Sequence, residues 1–482
     1  MTSHKFYNVS APAGSGKTYA AITHEIQLAQ SNQKVVIAQP IVQLIDQTEA
    51  DILARNSGVQ VTKIVSPSGS YQRDPVTARI LDHMKDADPK IGEILLISQQ
   101  ALGRLPDTYR RYWHIIVDEV PGAFVTHDMN IAKSHGFITA HMELGGSLVG
   151  QSVEVMASDV GALRSLAENK TQDAAFAIFK ALVDDVLNPD KLLVVNADEY
   201  ADLVSNTGKR KTISFYAFQK PDFVQGFASV TMMGANFSDT ELFKIWEKLY
   251  NIDWKQHPVI GSNLRYQQHT SGPRLTIKYL IDGNWSQYHS AQAHAKGTVL
   301  DAVVDAIESE LDTDYIWQAN HKHGAFLFSD GVMLPQITVG INRRNYQSKH
   351  KVALIKAINH SSGAAAFLKS IGLSDAELKV TLQYQNEYQA MMRSSLRVPN
   401  STNDVTVCVV SEGSARWLEQ KFPGCKVVKM QSDIPEPKPR GQPAVVKRSA
   451  AEKMHDSREN RKVREAAARG EVYVARPWGG RK

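Results

Sequence analysis

Cysteine is nearly missing from this 482-residue chain, with Cys408 and Cys425 the two present. That scarcity excludes a disulfide framework and a cysteine-ligated zinc site, and it suits a reducing compartment. No run of about 18 apolar residues occurs, and the N-terminus carries neither a basic stretch nor an apolar one of the kind a secretion signal needs. The expectation is therefore a cytoplasmic protein with no membrane partner. Net charge is also small, at +5, and it is unevenly placed: Gly441 to Lys482 holds 11 Lys/Arg against 5 Asp/Glu, leaving the rest of the chain near −1. Bulk attraction to polyanions would belong to the tail, so the remainder must bind by local chemistry. A hydrophobic content of 43% excludes a mainly disordered polymer.

What is present is a repeated alternation of short apolar runs and helical stretches. Phe6 to Ser10, Lys34 to Ala38, Ile91 to Ser98 and Trp113 to Asp118 read as buried strands, with a helical pattern from Tyr19 to Ala29. A second group follows Gly261 to Gly272: strands at Leu275 to Leu280, Ala325 to Ser329, Lys351 to Ile358 and Val405 to Val410, and a helix over Gly297 to Leu311. Such alternation predicts α/β sheets covered on both faces. Between His127 and Asp222 lies a segment with helical patterns, such as Asp173 to Asp184, read as an insertion. Pro435, Pro437, Pro439 and Pro443 mark a stiff linker before a charged helix expected over Ala450 to Arg469.

The sharpest signal is Ala11 to Thr18, APAGSGKT, between a strand and a helix. Gly14, Ser15 and Gly16 let backbone N–H groups face a phosphate, Lys17 adds a point charge and Thr18 a hydroxyl for Mg²⁺. Ala11 stands where the usual pattern begins with glycine. A partner carboxylate is available after the run Trp113 to Val117: Asp118 can hold the metal through water and Glu119 can polarise an attacking water. Together they predict hydrolysis of a nucleoside triphosphate, with ATP and Mg²⁺ as the expected pair.

With these two motifs in order, the chain resembles the superfamily 2 DEAD/DEAH-like helicases, and its short, varied motifs resemble those of bacteriophage or mobile-element members. Asp118-Glu119-Val120-Pro121 is similar to the family's acidic box, with valine and proline where the better-known forms differ, and nothing resembling a Q motif precedes the loop. The resemblance implies two tandem RecA-like P-loop NTPase domains: residues 1–265 with an insertion over roughly 130–215, residues 266–430, and a linker and basic tail over 431–482. It also implies a nucleic-acid track crossing both. Gln39, Pro40 and Gln43 resemble the loop that contacts the polymer backbone, and Ser98, Gln99 and Gln100 resemble the next such element; polar loop residues after core strands are the alternative for both. Thr231 and Asn236 stand in the family's coupling position. Gln389, Arg393 and Arg397 resemble the helix that approaches the γ-phosphate, although the second arginine falls four residues after the first instead of three. A solvated basic helix face is the plainer reading. Asn342, Arg343 and Arg344 resemble a further strand-binding loop.

The leading expectation is an ATP-dependent helicase or single-strand translocase acting as a monomer on single-stranded or forked DNA, with RNA as the other track, and with the tail as a docking point for a protein partner. Two alternatives use the same motor: a clamp or remodeller that separates no strands, and a packaging-type motor with nuclease activity. The latter needs a second carboxylate cluster. Asp301, Asp305 and Glu308 are the candidates, though their spacing equally suits a wet helix face.

Overall fold

The computed structural model describes residues 6–66, 75–170, 172–205, 212–324, 327–336, 346–398 and 400–437, with residues 458, 459, 462 and 473. Met1–Pro435 forms one compact unit and Glu436–Lys482 another. In the second, Lys462 and Tyr473 both reach the Glu459 carboxylate, and most of the tail helix expected over Ala450 to Arg469 lies outside the described residues. No helix among the described residues is long and apolar enough to cross a membrane.

The first five strands are β1 (Phe6–Ala11), β2 (Lys34–Gln39), β3 (Gln60–Ile64), β4 (Glu93–Ser98) and β5 (Trp113–Asp118). Five more follow, β6 (Phe124–Asn130), β7 (Met142–Val149), β8 (Ser152–Ala157), β9 (Lys191–Asn196) and β10 (Thr212–Gln219), before β11 (Ser229–Ala235) and β12 (Lys255–Gln256) return to the first sheet. That sheet runs β12-β1-β11-β5-β2-β4-β3 and every pairing in it is parallel. The continuous apolar runs of β2 and β4 follow from burial on both faces. Val35, Ile37, Ile94 and Leu96 pack with Ile22 and Ile26 of the helix Lys17–Gln30. Val36, Ala38, Leu95 and Ile97 face the other way, toward Ile80, Met84 and Trp246.

The segment between β5 and β11 is partly helical, with helices at Ala174–Ala177 and Lys180–Val186 over the expected stretch, and it is organised around strands that the sequence reading did not pick out. Its sheet, β6-β10-β9-β8-β7, is wholly antiparallel, with short helices packed against it. The apolar pattern of β9 and β10 is strand-like: Leu193, Val195, Phe215 and Ala217 enter one core while Leu192, Val194, Tyr216 and Phe218 enter another.

The remaining strands are β13 (Leu275–Tyr279), β14 (Ala293–His294), β15 (Gly297–Thr298), β16 (Ile316–Gln318), β17 (Val332–Met333), β18 (Lys351–Leu354), β19 (Val405–Val409) and β20 (Lys426–Lys429). All but the β14-β15 pair form a second parallel sheet, ordered β17-β16-β18-β19-β13-β20. The strand expected at Ala325 to Ser329 is not there in its described part: Leu327 to Ser329 form a bend, while Ala325 and Phe326 lie outside the described residues. The sheet positions go instead to β16 and β17, too short to stand out from composition. The fold is thus two tandem parallel α/β sheets, the first interrupted by an antiparallel insertion. The helix Ser362–Ser370 crosses from the second sheet's chain onto the insertion, where Phe367 stacks on Tyr216 at 5.0 Å.

Candidate nucleotide site

The polar motifs of the first sheet sit at one edge because its strands are parallel and each ends there, which is where ligands of such sheets bind. Between β1 and the helix Lys17–Gln30, Gly14 and Gly16 take φ values of 80° and 82°, a backbone that glycine adopts without strain. Gly16 caps the helix and turns its first amides toward the loop. Ser15 is fully buried, and its hydroxyl has no hydrogen-bond partner among the described residues. Lys17 is buried and its ammonium donates to the carbonyls of Ala11 at 3.3 Å and Pro12 at 3.0 Å. Burial lowers its pKa, against the pull of Glu119 and Asp118.

One strand, β11, separates the loop strand from the acidic strand, with Ala11 opposite Ala235 and Asp118 opposite Met233. Gly234 is small because Val120 passes over it: a Cβ there would lie 2.5 Å from Val120 Cγ2. Thr18 Oγ1 donates to Asp118 Oδ2 at 3.1 Å, and Gln39 Nε2 donates to the same oxygen at 3.0 Å. Burial raises the pKa of both Asp118 and Glu119, and for Glu119 the neighbouring Asp118 adds to it. Glu119 has φ 67°, an uncommon left-handed backbone for a side chain of its size. Gln99 pins that turn, donating from Nε2 to the carbonyls of Asp118 at 3.0 Å and Glu119 at 2.6 Å.

The second sheet's chain supplies the opposite wall. The helix carrying Gln389 ends at Met391, so Arg393 and Arg397 do not extend its face as the spacing predicts. Ser394 ends it: its hydroxyl donates to the Met391 carbonyl at 2.7 Å and receives the Leu396 N–H at 3.3 Å, a local bond that competes with helix continuation. Arg397 then lies at the end of a 3₁₀ turn, Ser395–Arg397. Even so, Gln389, Arg393 and Arg397 line the same cavity as Gly14, Gly16, Lys17, Thr18, Asp118 and Glu119, with a volume of about 460 Å³. Burial first, and Arg397 second, lower the pKa of Arg393 to about 10, which leaves it charged at neutral pH.

The expected polymer contacts divide. Gln39 is 1% exposed and bonded to Asp118, so it belongs to the cavity wall and not to an outer surface, a correction forced by its position at the buried end of β2. Gln99 is likewise spent on the acidic turn, and Ser98 caps the helix Gln99–Leu102 by accepting the Ala101 N–H at 3.1 Å. Pro40 is half-buried, while Gln43 and Gln100 are exposed. Asn342, Arg343 and Arg344 lie outside the described residues. Of the coupling pair, Thr231 is mid-strand and 2% exposed, paired with Tyr7 and Ile116, far from the edge. Asn236 is at the edge with φ 49°, and its carbonyl accepts from Gln385 Nε2 at 3.2 Å. Tyr19, Gln47, Asp51, Arg265 and Gln347 also line the cavity, and sequence reasoning missed them. Arg265 comes from the chain between the sheets and has no motif around it; only Tyr19, directly after Thr18, offered a signal.

The carboxylates considered for nuclease chemistry serve separate local tasks. Asp301 closes a capping box with Thr298, Asp305 pairs with Lys296 and Glu308 accepts from Ser329. Among the described residues no cluster suited to a metal ion is formed by His, Cys, Asp or Glu alone.

No family model matches the sequence, and no curated protein matches it. Among solved structures, one described as an XPD helicase is 9% identical, covering 88% of this chain and 96% of its own at a TM-score of 0.49. Xpd4 of S. tokodaii is 10% identical over 89% of this chain and 96% of its own, at 0.42. Dbp5 of S. cerevisiae, bound to RNA and ADP BeF3, is 9% identical over 89% and 86%, at 0.38. At such identities and scores no activity is taken from them, and the α/β fold of two parallel sheets rests on the strand order and register themselves.

Proposed function

We propose that this chain is an ATP-dependent nucleic-acid translocase or helicase, with residues 1–265 and 266–430 as its two motor domains. The observation that carries the reading is the single cavity into which a phosphate loop and an acidic pair from one sheet, and two arginines from the other, converge. A triphosphate seated between them bridges the halves, so its hydrolysis changes how they are held together.

The residues present fit ATP and Mg²⁺. Two glycines at positive φ leave room for phosphate, the buried Ser15 hydroxyl awaits a partner, and Thr18 and Asp118 offer hard oxygen ligands side by side. When bound, Mg²⁺ neutralises phosphate charge. Lys17 exchanges its two loop carbonyls for phosphate oxygens. Glu119, made a stronger base by burial, takes the proton of the attacking water, while Arg393 and Arg397 stabilise the charge that develops on the transferred group. Because the arginines arrive from the second half, hydrolysis depends on closure.

Gln43 and Gln100, exposed beyond the strand ends, are the polar side chains offered to a sugar-phosphate backbone, with single-stranded DNA as the first track to try. The test is steady-state ATP hydrolysis with no polymer, single-stranded DNA, duplex DNA or single-stranded RNA, using Lys17→Ala and Glu119→Gln as controls. Strong stimulation by one single-stranded polymer, lost in both variants, is expected. Activity indifferent to every polymer would overturn the motor reading.

A further inference from the structure

The phosphate loop is held from outside its own sheet. Ala13 donates its N–H to Tyr388 Oη at 2.7 Å, and its carbonyl accepts from Tyr266 Oη at 2.8 Å. Both polar groups of one loop residue are therefore taken by tyrosine hydroxyls, neither of which comes from the first sheet. Next to it, Arg265 N–H donates to the Ser15 carbonyl at 2.9 Å. The contact is also apolar, since Ala13 packs within the core of the second sheet, beside Tyr388, Met391 and Leu396.

Tyr388 is itself fixed at a second point. It is fully buried, and its hydroxyl lies 2.7 Å from His269 Nε2. His269 stacks on Phe422 at 4.2 Å, and burial holds its imidazole neutral, with a pKa lowered to about 4. A neutral ring can accept at Nε2, which gives a directed chain: Ala13 N–H to Tyr388, and the Tyr388 hydroxyl proton to His269. Tyr388 occupies the helix Gln385–Met391 that also carries Gln389 into the cavity and Gln385 onto the Asn236 carbonyl, with Arg393 just beyond. A shift of that helix moves the grip on the loop and the arginines together.

We propose that Tyr388, assisted by Tyr266, is a positioning residue for the phosphate loop, so that nucleotide affinity is set by how the second half seats on the first. The inference rests on the nucleotide-binding reading above. Removing the Tyr388 hydroxyl strands a buried N–H at Ala13, which is 7% exposed, and frees the loop to leave the shape that phosphate needs.

The test uses the full chain with Tyr388→Phe, Tyr266→Phe and the double substitution. A fluorescent ATP analogue gives Kd, steady-state hydrolysis gives KM and kcat, and thermal melting gives Tm. For Tyr388→Phe, Kd and KM should rise about ten-fold with kcat within about two-fold. Tyr266→Phe should act in the same direction more weakly, and the double variant should fall short of the product of the two, since both act through Ala13. A lowered Tm with Kd and KM unmoved in both single variants would overturn the positioning role. Absence of hydrolysis in the unmutated chain, with Kd still raised by Tyr388→Phe, would strike at the motor reading and leave this one standing.

Discussion

The first parallel sheet delivers Lys17, Thr18, Asp118 and Glu119 from the strand ends where their motifs occur, whereas the second delivers Arg393 and Arg397 after the helix before them has ended. The first half of the cleft is local: a strand, a turn and a helix start create a phosphate cradle in one stretch of chain. The second half is made by anchoring. Ser395 N–H bonds the Lys349 carbonyl at 2.9 Å, and Arg274 bonds the Ser395 carbonyl at 2.7 Å, so residues distant in sequence fix where the arginines point. The cavity is thus half motif and half tertiary consequence.

The sharpest way to break the comparison is at the arginines. Arg393→Ala should lower kcat by about 10³ with nucleotide binding largely retained, and Arg393→Lys should not rescue it, because an ammonium lacks the planar fork. Recovery of activity in the lysine variant, read in the same hydrolysis assay, would reduce Arg393 to a mere point charge. Next come two glycines that test whether the halves are separately stable. A Cβ on Gly92 would lie 1.9 Å from the Ala29 carbonyl oxygen in the first half, and one on Gly272 would lie 1.9 Å from the Pro423 carbonyl oxygen in the second. Each alanine substitution should cost about 3 kcal/mol. Melting followed by calorimetry should show one early transition per variant if the halves unfold independently, and a single shifted transition if the contacts between them enforce cooperativity.

A smaller effect separates the halves by pH. Glu387, 2% exposed in the second half, accepts hydrogen bonds from Gln383 and Ser414, yet burial pushes its pKa up to about 7 from 4.5. The folded state therefore holds a proton that the unfolded chain releases above about pH 4.5. Stability should fall as pH rises from about 4.5 to about 7 and then level off, by roughly 1–3 kcal/mol. Glu387→Gln should flatten that slope in denaturant titrations at pH 5 and pH 8; an unchanged slope would assign the dependence elsewhere. Smallest is Gln39→Ala, expected to lower hydrolysis by about ten-fold, in the same proportion with and without polymer, as befits a wall residue bonded to Asp118. Loss confined to the polymer-stimulated rate would return Gln39 to the track.

Reading the sequence located the phosphate loop and acidic pair because their chemistry requires contiguous residues beside a strand, and β1, β2, β4 and β5 were visible as apolar runs for the same burial reason. It placed Gln39 and Gln99 on the polymer side because a polar residue after a core strand has no local mark of which way it turns. Here both turn inward to Asp118 and to the strained Glu119 backbone. Thr231 stood in the expected coupling position, and only the register set it in mid-strand. The short strands β16 and β17 escaped notice because two or three residues carry no periodicity.

By itself, then, the sequence determined the parallel α/β layering and the half of the cavity built from the phosphate loop and acidic pair, since hydrophobic runs and a glycine-bearing loop act over a few residues. The tertiary structure alone decided that Arg393 and Arg397 face Glu119 across one cavity and that two tyrosines from elsewhere grip Ala13. Those pairings join residues more than two hundred positions apart, and their energy exists only once both sheets are packed.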